Sequence, residues 1–140
     1  MKKAYIDTNI FLNIFFDEEE FYSGSKRLFD MVEEKSIIGV ISIFVLMELV
    51  RVLQKSAFSA DKINDVIVKI KGLNVEIVIP SEFHLITAYE LLIELGLDIL
   101  DALHLCVAID VADIFVTRDT KLARKIADKI EVMTPEEVKR

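Results

Sequence analysis

The chain has one cysteine, Cys106, so no intramolecular disulfide framework can staple it. That thiol lies in the apolar run from Leu105 to Ile109 and reads as core filler rather than a reactive group. No uninterrupted apolar run approaches the ~20 residues needed to cross a bilayer, and the N-terminus enters a strand-like pattern without a signal-peptide core. The expectation is a cytoplasmic protein with no membrane partner. Internal repeats, low-complexity tracts and interdomain linkers are missing too, so a single domain over 1–140 is expected. Positive charge is in short supply, with 17 Lys and Arg against 24 Asp and Glu for a net charge of −7. That balance excludes broad electrostatic binding of nucleic acid, which depends on basic patches that release counterions. Any chemistry on phosphates would have to be mediated by metal ions.

What the chain does contain is apolar sequence, 53% against a usual ~45–50%. With 29% charged residues it reads as globular, and the apolar excess hints at a surface that a partner buries.

Strand and helix patterns alternate along the chain. Lys3 to Ile6 reads as a buried strand closed by Asp7, with Thr8 or Asn9 capping a helix that carries Ile10, Phe11, Ile14 and Phe15. The acidic knot from Asp17 to Glu20 should break that helix, Gly24 suggests a turn, and Ser23 or Ser25 should start the next helix. Ile37 to Ile41 reads as a strand covered on both faces. Ser42 caps a nearly all-apolar helix to about Leu53, interrupted by Glu48. A helix from Asp61 closes at Gly72, Val75 to Ile79 forms a strand stopped by Pro80, and Ser81 caps a helix ending at Gly96. A helix from Asp98 or Leu100 to about Val111, a strand from Ile114 to Val116, a helix from Thr120 to Ala127 and a strand from Glu131 to Met133 complete the pattern. Such alternation predicts an α/β fold, a parallel sheet with helices on both faces.

Four acids stand out. Asp7 and Asp119 follow apolar strands, Asp101 lies in the first turn of a helix, and Glu48 sits among apolar residues where a carboxylate is costly unless paired. Each has a structural explanation as well. Asp7 could simply suit a strand-to-helix turn near a helix N-terminus, and Asp119 could cap the last helix, with Thr117 an alternative cap there; Arg51 could pair with Glu48; and Asp98 and Asp101 have the spacing of a cap and its partner. Asp98 is the better cap and Asp101 the better site residue. His104 shares Asp101's helical face and could ligate a metal, but a lone helical histidine reads first as a packing residue. His84 reads as a surface residue. Open α/β sheets bind ligands beyond the carboxyl ends of their strands, which is where these acids fall. Four converging carboxylates repel one another unless cations neutralise them, and oxygen-rich sites suit Mg²⁺ or Mn²⁺. Such a site could hold and hydrolyse a phosphodiester.

Together Asp7-Thr8-Asn9, Glu48, Asp101-Ala102-Leu103-His104 and Thr117-Arg118-Asp119 resemble the PIN-domain family of nucleases, and within it the VapC-like toxins of toxin–antitoxin pairs. The resemblance spans essentially the whole chain and rests on the order and spacing of motifs that are individually weak. It implies a three-layer αβα fold with sheet order 3-2-1-4-5 and a metal-dependent endoribonuclease that leaves a 3′-hydroxyl and a 5′-phosphate. Asp7, Glu48, Asp101 and Asp119 would hold one or two Mg²⁺ or Mn²⁺ ions, and Asn9 and Thr117 would orient the acids or the attacking water. Arg118 would either touch phosphate or be a solvated loop residue. A homodimer and an antitoxin partner are further implications. A PIN-type RNA-processing enzyme and an inert PIN-like module that binds protein or RNA are the alternatives. A haloacid-dehalogenase-type phosphatase would need an aspartate where Asn9 stands, and a receiver domain would need a lysine after the last strand, where Thr134-Pro135 follow.

Overall fold

The centre of the molecule is β1 (Lys3–Ile6), whose residues Ala4, Tyr5 and Ile6 have no solvent exposure at all. Alternate strand residues point to opposite faces, so burial of all three means that layers cover both sides of the sheet. The computed structural model describes residues 1–140. β1 pairs in parallel with β2 (Ile38–Ser42) on one side and β4 (Ile114–Val116) on the other, placing Tyr5 opposite Val40 and Phe115. β3 (Val75–Val78) extends the sheet beyond β2, and β5 (Glu131–Met133) extends it beyond β4. The order is 3-2-1-4-5 with every pairing parallel, as the resemblance implied.

Seven helices flank this sheet. After β1 come α1 (Thr8–Phe15) and α2 (Glu19–Glu33); α3 (Ile43–Lys55) and α4 (Ala60–Gly72) join β2 to β3; α5 (Glu82–Leu95) and α6 (Ile99–Val111) join β3 to β4; α7 (Thr120–Ile126) joins β4 to β5. None of the helices is long and apolar enough to cross a membrane. The expected bounds of β4 and β5 are reproduced, β2 shifts by one residue, and β3 starts as expected and ends one residue sooner. Ser42 caps α3 by accepting from Phe44 N at 3.2 Å, and Gly96 ends α5 in the left-handed region at φ 65°, a conformation that favours glycine.

Two local expectations fail. Neither Thr8 nor Asn9 caps α1; Asp7 does, accepting from Thr8 N at 2.8 Å. And α2 begins at Glu19, with Ser23, Gly24 and Ser25 inside it. Glu19 and Glu20 occupy its first turn, where the helix dipole favours negative charge, so the acidic knot starts a helix as well as ending one. The Glu136 carboxylate lies where a Cβ on Gly24 would stand, so a larger residue here would displace that flexible side chain. Glu136 belongs to a 3₁₀ turn (Pro135–Glu137) near the C-terminus that packs on α2.

The strand order reverses at β1. Connections from β1 lead to β2, while β4 returns on its other side, and this opens a crevice at the carboxyl ends of β1 and β4. Asp7 and Thr117 are the residues that follow those two ends.

Candidate metal centre

Asp7 continues the sheet for one more hydrogen bond, from its N–H to Val116 O at 3.0 Å, before the chain turns into α1. Its carboxylate is buried and held on both oxygens. One accepts from Thr8 N, and the other accepts from Thr117 Oγ1 at 2.8 Å and from Asn9 Nδ2 at 3.3 Å. Asn9 Nδ2 also reaches Thr117 Oγ1 at 3.2 Å, and Asn9 Oδ1 accepts from Arg118 N at 3.3 Å. The two residues expected to orient the acids thus lie against Asp7.

Across the crevice α3 supplies Glu48, half-buried, and α6 supplies His104, only 1% exposed. Glu48 pairs with His104 rather than with Arg51, Oε1 lying 3.5 Å from Nε2, a distance of electrostatic contact rather than a good hydrogen bond. One ligand atom each from Asp7, Glu48 and His104 can be chosen so that all lie within 4.8 Å of one another. His104 is therefore both packed in the core and turned toward carboxylates, a role the sequence reading set aside. Its signals were its place three residues after Asp101 and a strand tyrosine able to orient the ring.

That tyrosine is Tyr5. Its hydroxyl lies 2.7 Å from His104 Nδ1 and 2.8 Å from Ser42 Oγ. With Nδ1 engaged, Nε2 faces the acids, and it is one of only two buried side-chain polar atoms without a hydrogen-bond partner. The other is Thr8 Oγ1, next to Asp7 in sequence. Buried polar atoms are nearly always satisfied, so these two, both beside Glu48, call for a partner such as a bound ion or water.

Asp101 stands in the first turn of α6, where Asp98 is the cap, accepting from Asp101 N at 2.9 Å. Burial first, then the negative charges of Asp98, Asp7 and Asp119, push the Asp101 carboxyl up to about 7. Burial also raises Asp7, although His104, Thr117 and Thr8 N oppose the rise. Glu48 moves the other way, lowered by the His104 ring beside it. Burial alone would lower His104, but Glu48, Asp7 and Asp101 outweigh it and raise it. Asp119 is exposed and caps α7, accepting from Leu122 N at 3.0 Å. The closest group is therefore Asp7, Glu48 and His104, with Asp101 half-buried beside it and Asp119 on the rim.

Two other residues depart from expectation. Arg118 is neither solvated nor free for phosphate: its guanidinium bonds Asn13 Oδ1, Ser25 Oγ, Phe21 O and Glu136, and it stacks 4.5 Å over the Phe21 ring. His84 is buried, its Nδ1 accepting from Ser81 N at 2.9 Å and its Nε2 bonding Asp110 Oδ2 at 2.9 Å, which ties α5 to α6. Cys106 lies in the core as expected.

A doubly wound parallel sheet with a carboxylate cluster at its switch point defines the class, an α/β protein with a candidate metal site at the carboxyl ends of its strands. The chain belongs to the PIN-domain family, whose model it matches over residues 4–128. No curated protein matches it in sequence. Solved structures similar to it include a toxin–antitoxin complex from Klebsiella pneumoniae, 20% identical with a TM-score of 0.69, covering 96% of this chain and 99% of that one. VapBC2 from Rickettsia felis bound to a promoter DNA fragment is 22% identical with a TM-score of 0.71, covering 94% and 98%. VapBC-1 from nontypeable Haemophilus influenzae is 16% identical with a TM-score of 0.68, covering 96% and 99%. At these identities the likeness is one of fold.

Proposed function

We propose that the protein is a metal-dependent endoribonuclease of the cytoplasm and the toxin of a toxin–antitoxin pair, acting as a single domain. Membership of the PIN family supports a hydrolase acting on nucleic acids. The observation that carries the metal dependence is the orphaned, buried His104 Nε2 aimed at Asp7 and Glu48, with Asp7 and Asp101 held above their ordinary range chiefly by burial. A divalent cation relieves both costs at once. In this reading Asp7, Glu48, Asp101 and Asp119 hold one or two Mg²⁺ or Mn²⁺ ions, with His104 adding a nitrogen to the set.

When bound, the ion would supply charge for the phosphodiester oxygens and a lowered pKa for water. The chain's own residues do the rest. Asn9 and Thr117 hold the Asp7 carboxylate in one orientation, so no reorganisation is needed as charge develops. Half-buried Asp101, its N–H held by the Asp98 cap at the start of α6, is placed to accept a hydrogen bond from the attacking water. Asp119, on the rim, meets the strand where it enters. RNA as substrate, like the antitoxin partner and a homodimer, follows from the VapC resemblance and from the toxin–antitoxin complexes among the similar folds.

The test is cleavage of a labelled mixed RNA pool with Mg²⁺ or Mn²⁺, comparing wild type with folded Asp7→Asn and Asp101→Asn proteins. Cutting that EDTA stops and both substitutions abolish is the expected result. Neither cutting nor metal binding would leave an inert binding module as the better account.

A further inference from the structure

Beyond Thr117 and Asp119 the surface does not close. A cleft of about 440 Å³ runs from these two residues between α7 and the segment after β5. Because Thr117 and Asp119 line it, whatever occupies the acidic crevice has direct access to it. Its apolar wall comes from Ala123 and Ala127, four residues apart on one face of α7, and from Val132 and Met133 of β5. The two alanines leave space that a larger residue would fill. Thr120 and Thr134 also line it, as does Glu137.

The cleft carries charge of both signs, Arg118 and Arg124 against Asp119 and Glu137, and further basic residues lie along the helix beside it. Lys121, Arg124, Lys125 and Lys129 all fall within ten residues. Two are engaged, Lys125 with Gly96 O at 2.8 Å and Lys129 with Glu94 at 2.9 Å. Of the two arginines at the cleft, Arg118 is consumed by its contacts with α1, α2 and Glu136. Arg124 is exposed and makes no ion pair. An apolar wall, lining threonines and one free guanidinium, opening from a carboxylate cluster, match a ligand that is apolar at one end and anionic at the other.

Resting on the nuclease reading, we propose that this cleft holds the nucleoside next to the scissile phosphate. Its base lies on Ala127, Val132 and Met133, and Arg124 contacts the adjoining phosphate. No aromatic ring lines the cleft, so the base is gripped by the thioether and methyl groups rather than by stacking. Shape and hydroxyl contacts then set which nucleotide flanks the cut.

Two measurements test this on the full chain. With Mg²⁺ present, each ribonucleoside 5′-monophosphate is titrated while methyl NMR signals of Ala123, Ala127, Val132 and Met133 are followed; saturable shifts at these methyls are expected. Cleavage kinetics are then compared for wild type, Arg124→Ala and Ala127→Leu, the last filling the cleft from an exposed position. The expected result is a KM raised about tenfold with kcat within about twofold, a changed nucleotide at the cut for Ala127→Leu, and unaltered Mn²⁺ affinity. Unmoved methyls, with both variants cutting as wild type at the same positions, would overturn the assignment and leave the nuclease reading standing. Wild type that neither binds Mn²⁺ nor cuts RNA sinks the nuclease reading instead, and the methyl shifts still decide whether a nucleotide enters the cleft.

Discussion

The hydroxyl of Tyr5, in the central strand, lies 2.7 Å from Nδ1 of His104 and so fixes which edge of that imidazole meets Asp7 and Glu48. A partner on the far ring nitrogen is the usual means by which a protein orients a ligating histidine. Tyr5→Phe keeps the ring that stacks on Phe115 at 5.4 Å and removes only the hydroxyl. The loss should cost about 1–2 kcal/mol of stability in urea denaturation, because Ser42 Oγ and His104 Nδ1 both lose a buried partner. Mn²⁺ affinity, measured by calorimetry, should fall on the order of tenfold. His104→Ala should narrow the preference for Mn²⁺ over Mg²⁺, since an imidazole suits the softer ion better. An unchanged preference would mean that Nε2 does not reach the ion.

Without metal, stability should fall as pH rises. The Asp101 carboxyl titrates in the folded protein at about 7 rather than its ordinary 3.8, so between these values the native state binds more protons than the unfolded chain. Stability is then fully present below the unfolded value and is lost as pH climbs through 7. Asp7 and His104, both raised, act in the same sense, while lowered Glu48 opposes them only toward acid pH. For a half-buried group, solvent screening reduces the Asp101 contribution to roughly 1–2 kcal/mol. Thermal melts in EDTA should therefore show Tm dropping between pH 5 and pH 8, with a flatter curve for Asp101→Asn. Saturating Mn²⁺ should raise Tm most at the alkaline end. A Tm in EDTA that rises over this range would show that the acids do not crowd as the structure has them.

Much of this arrangement was legible because it is set by local rules. β4 and β5 are bounded by their apolar runs, and Ser42, Asp98 and Gly96 mark helix ends by their own chemistry. The assignment of the cap to Asp98 rather than Asp101 follows from the same rules. What was not legible depends on contacts distant in sequence. Gly24 looks like a turn until Glu136, more than a hundred residues later, is seen to occupy the space beside it. Arg118 looks like a solvated loop residue until Asn13, Phe21 and Ser25 are seen to surround it. His84 was misread because α5 buries this histidine while exposing Phe83, Ile86, Tyr89 and Ile93, the reverse of the pattern that polarity alone predicts.

The Arg118 hub should matter for stability and not for metal binding. Its guanidinium is almost fully enclosed and joins α1, α2 and the C-terminal 3₁₀ turn through hydrogen bonds, an ion pair and the Phe21 ring. Arg118→Ala leaves Asn13 Oδ1 without its guanidinium donor, and about 2–4 kcal/mol should be lost in urea denaturation. Arg118→Lys should recover little, because an ammonium cannot reproduce the planar fork or the stack. Mn²⁺ affinity should stay within about threefold of wild type at temperatures where the variant is folded. A much larger drop would place Arg118 in the metal site, against the geometry.

The exposed side of α5 predicts how the protein associates with itself. Phe83, Ile86, Tyr89 and Ile93 follow one another at helical spacing and are 66%, 56%, 65% and 79% exposed, with Ile79 before the helix at 79%. Monomers rarely leave such a continuous apolar stripe in water. An apolar stripe on a straight helix can face its own copy across a twofold axis, each residue meeting its partner's stripe, which is the geometry of an isologous dimer. Glu82 and Glu90, four residues either side of Ile86, share this face of the helix, so the two copies must meet with these carboxylates offset from one another. Phe83→Glu with Ile93→Glu adds four buried charges to a dimer and none to a monomer core, because both positions are exposed in the single chain. Sedimentation equilibrium should show wild type as a dimer and the double variant as a monomer, with Tm in dilute solution nearly unchanged. A wild-type monomer at the same concentration would leave the stripe to another protein, such as the antitoxin.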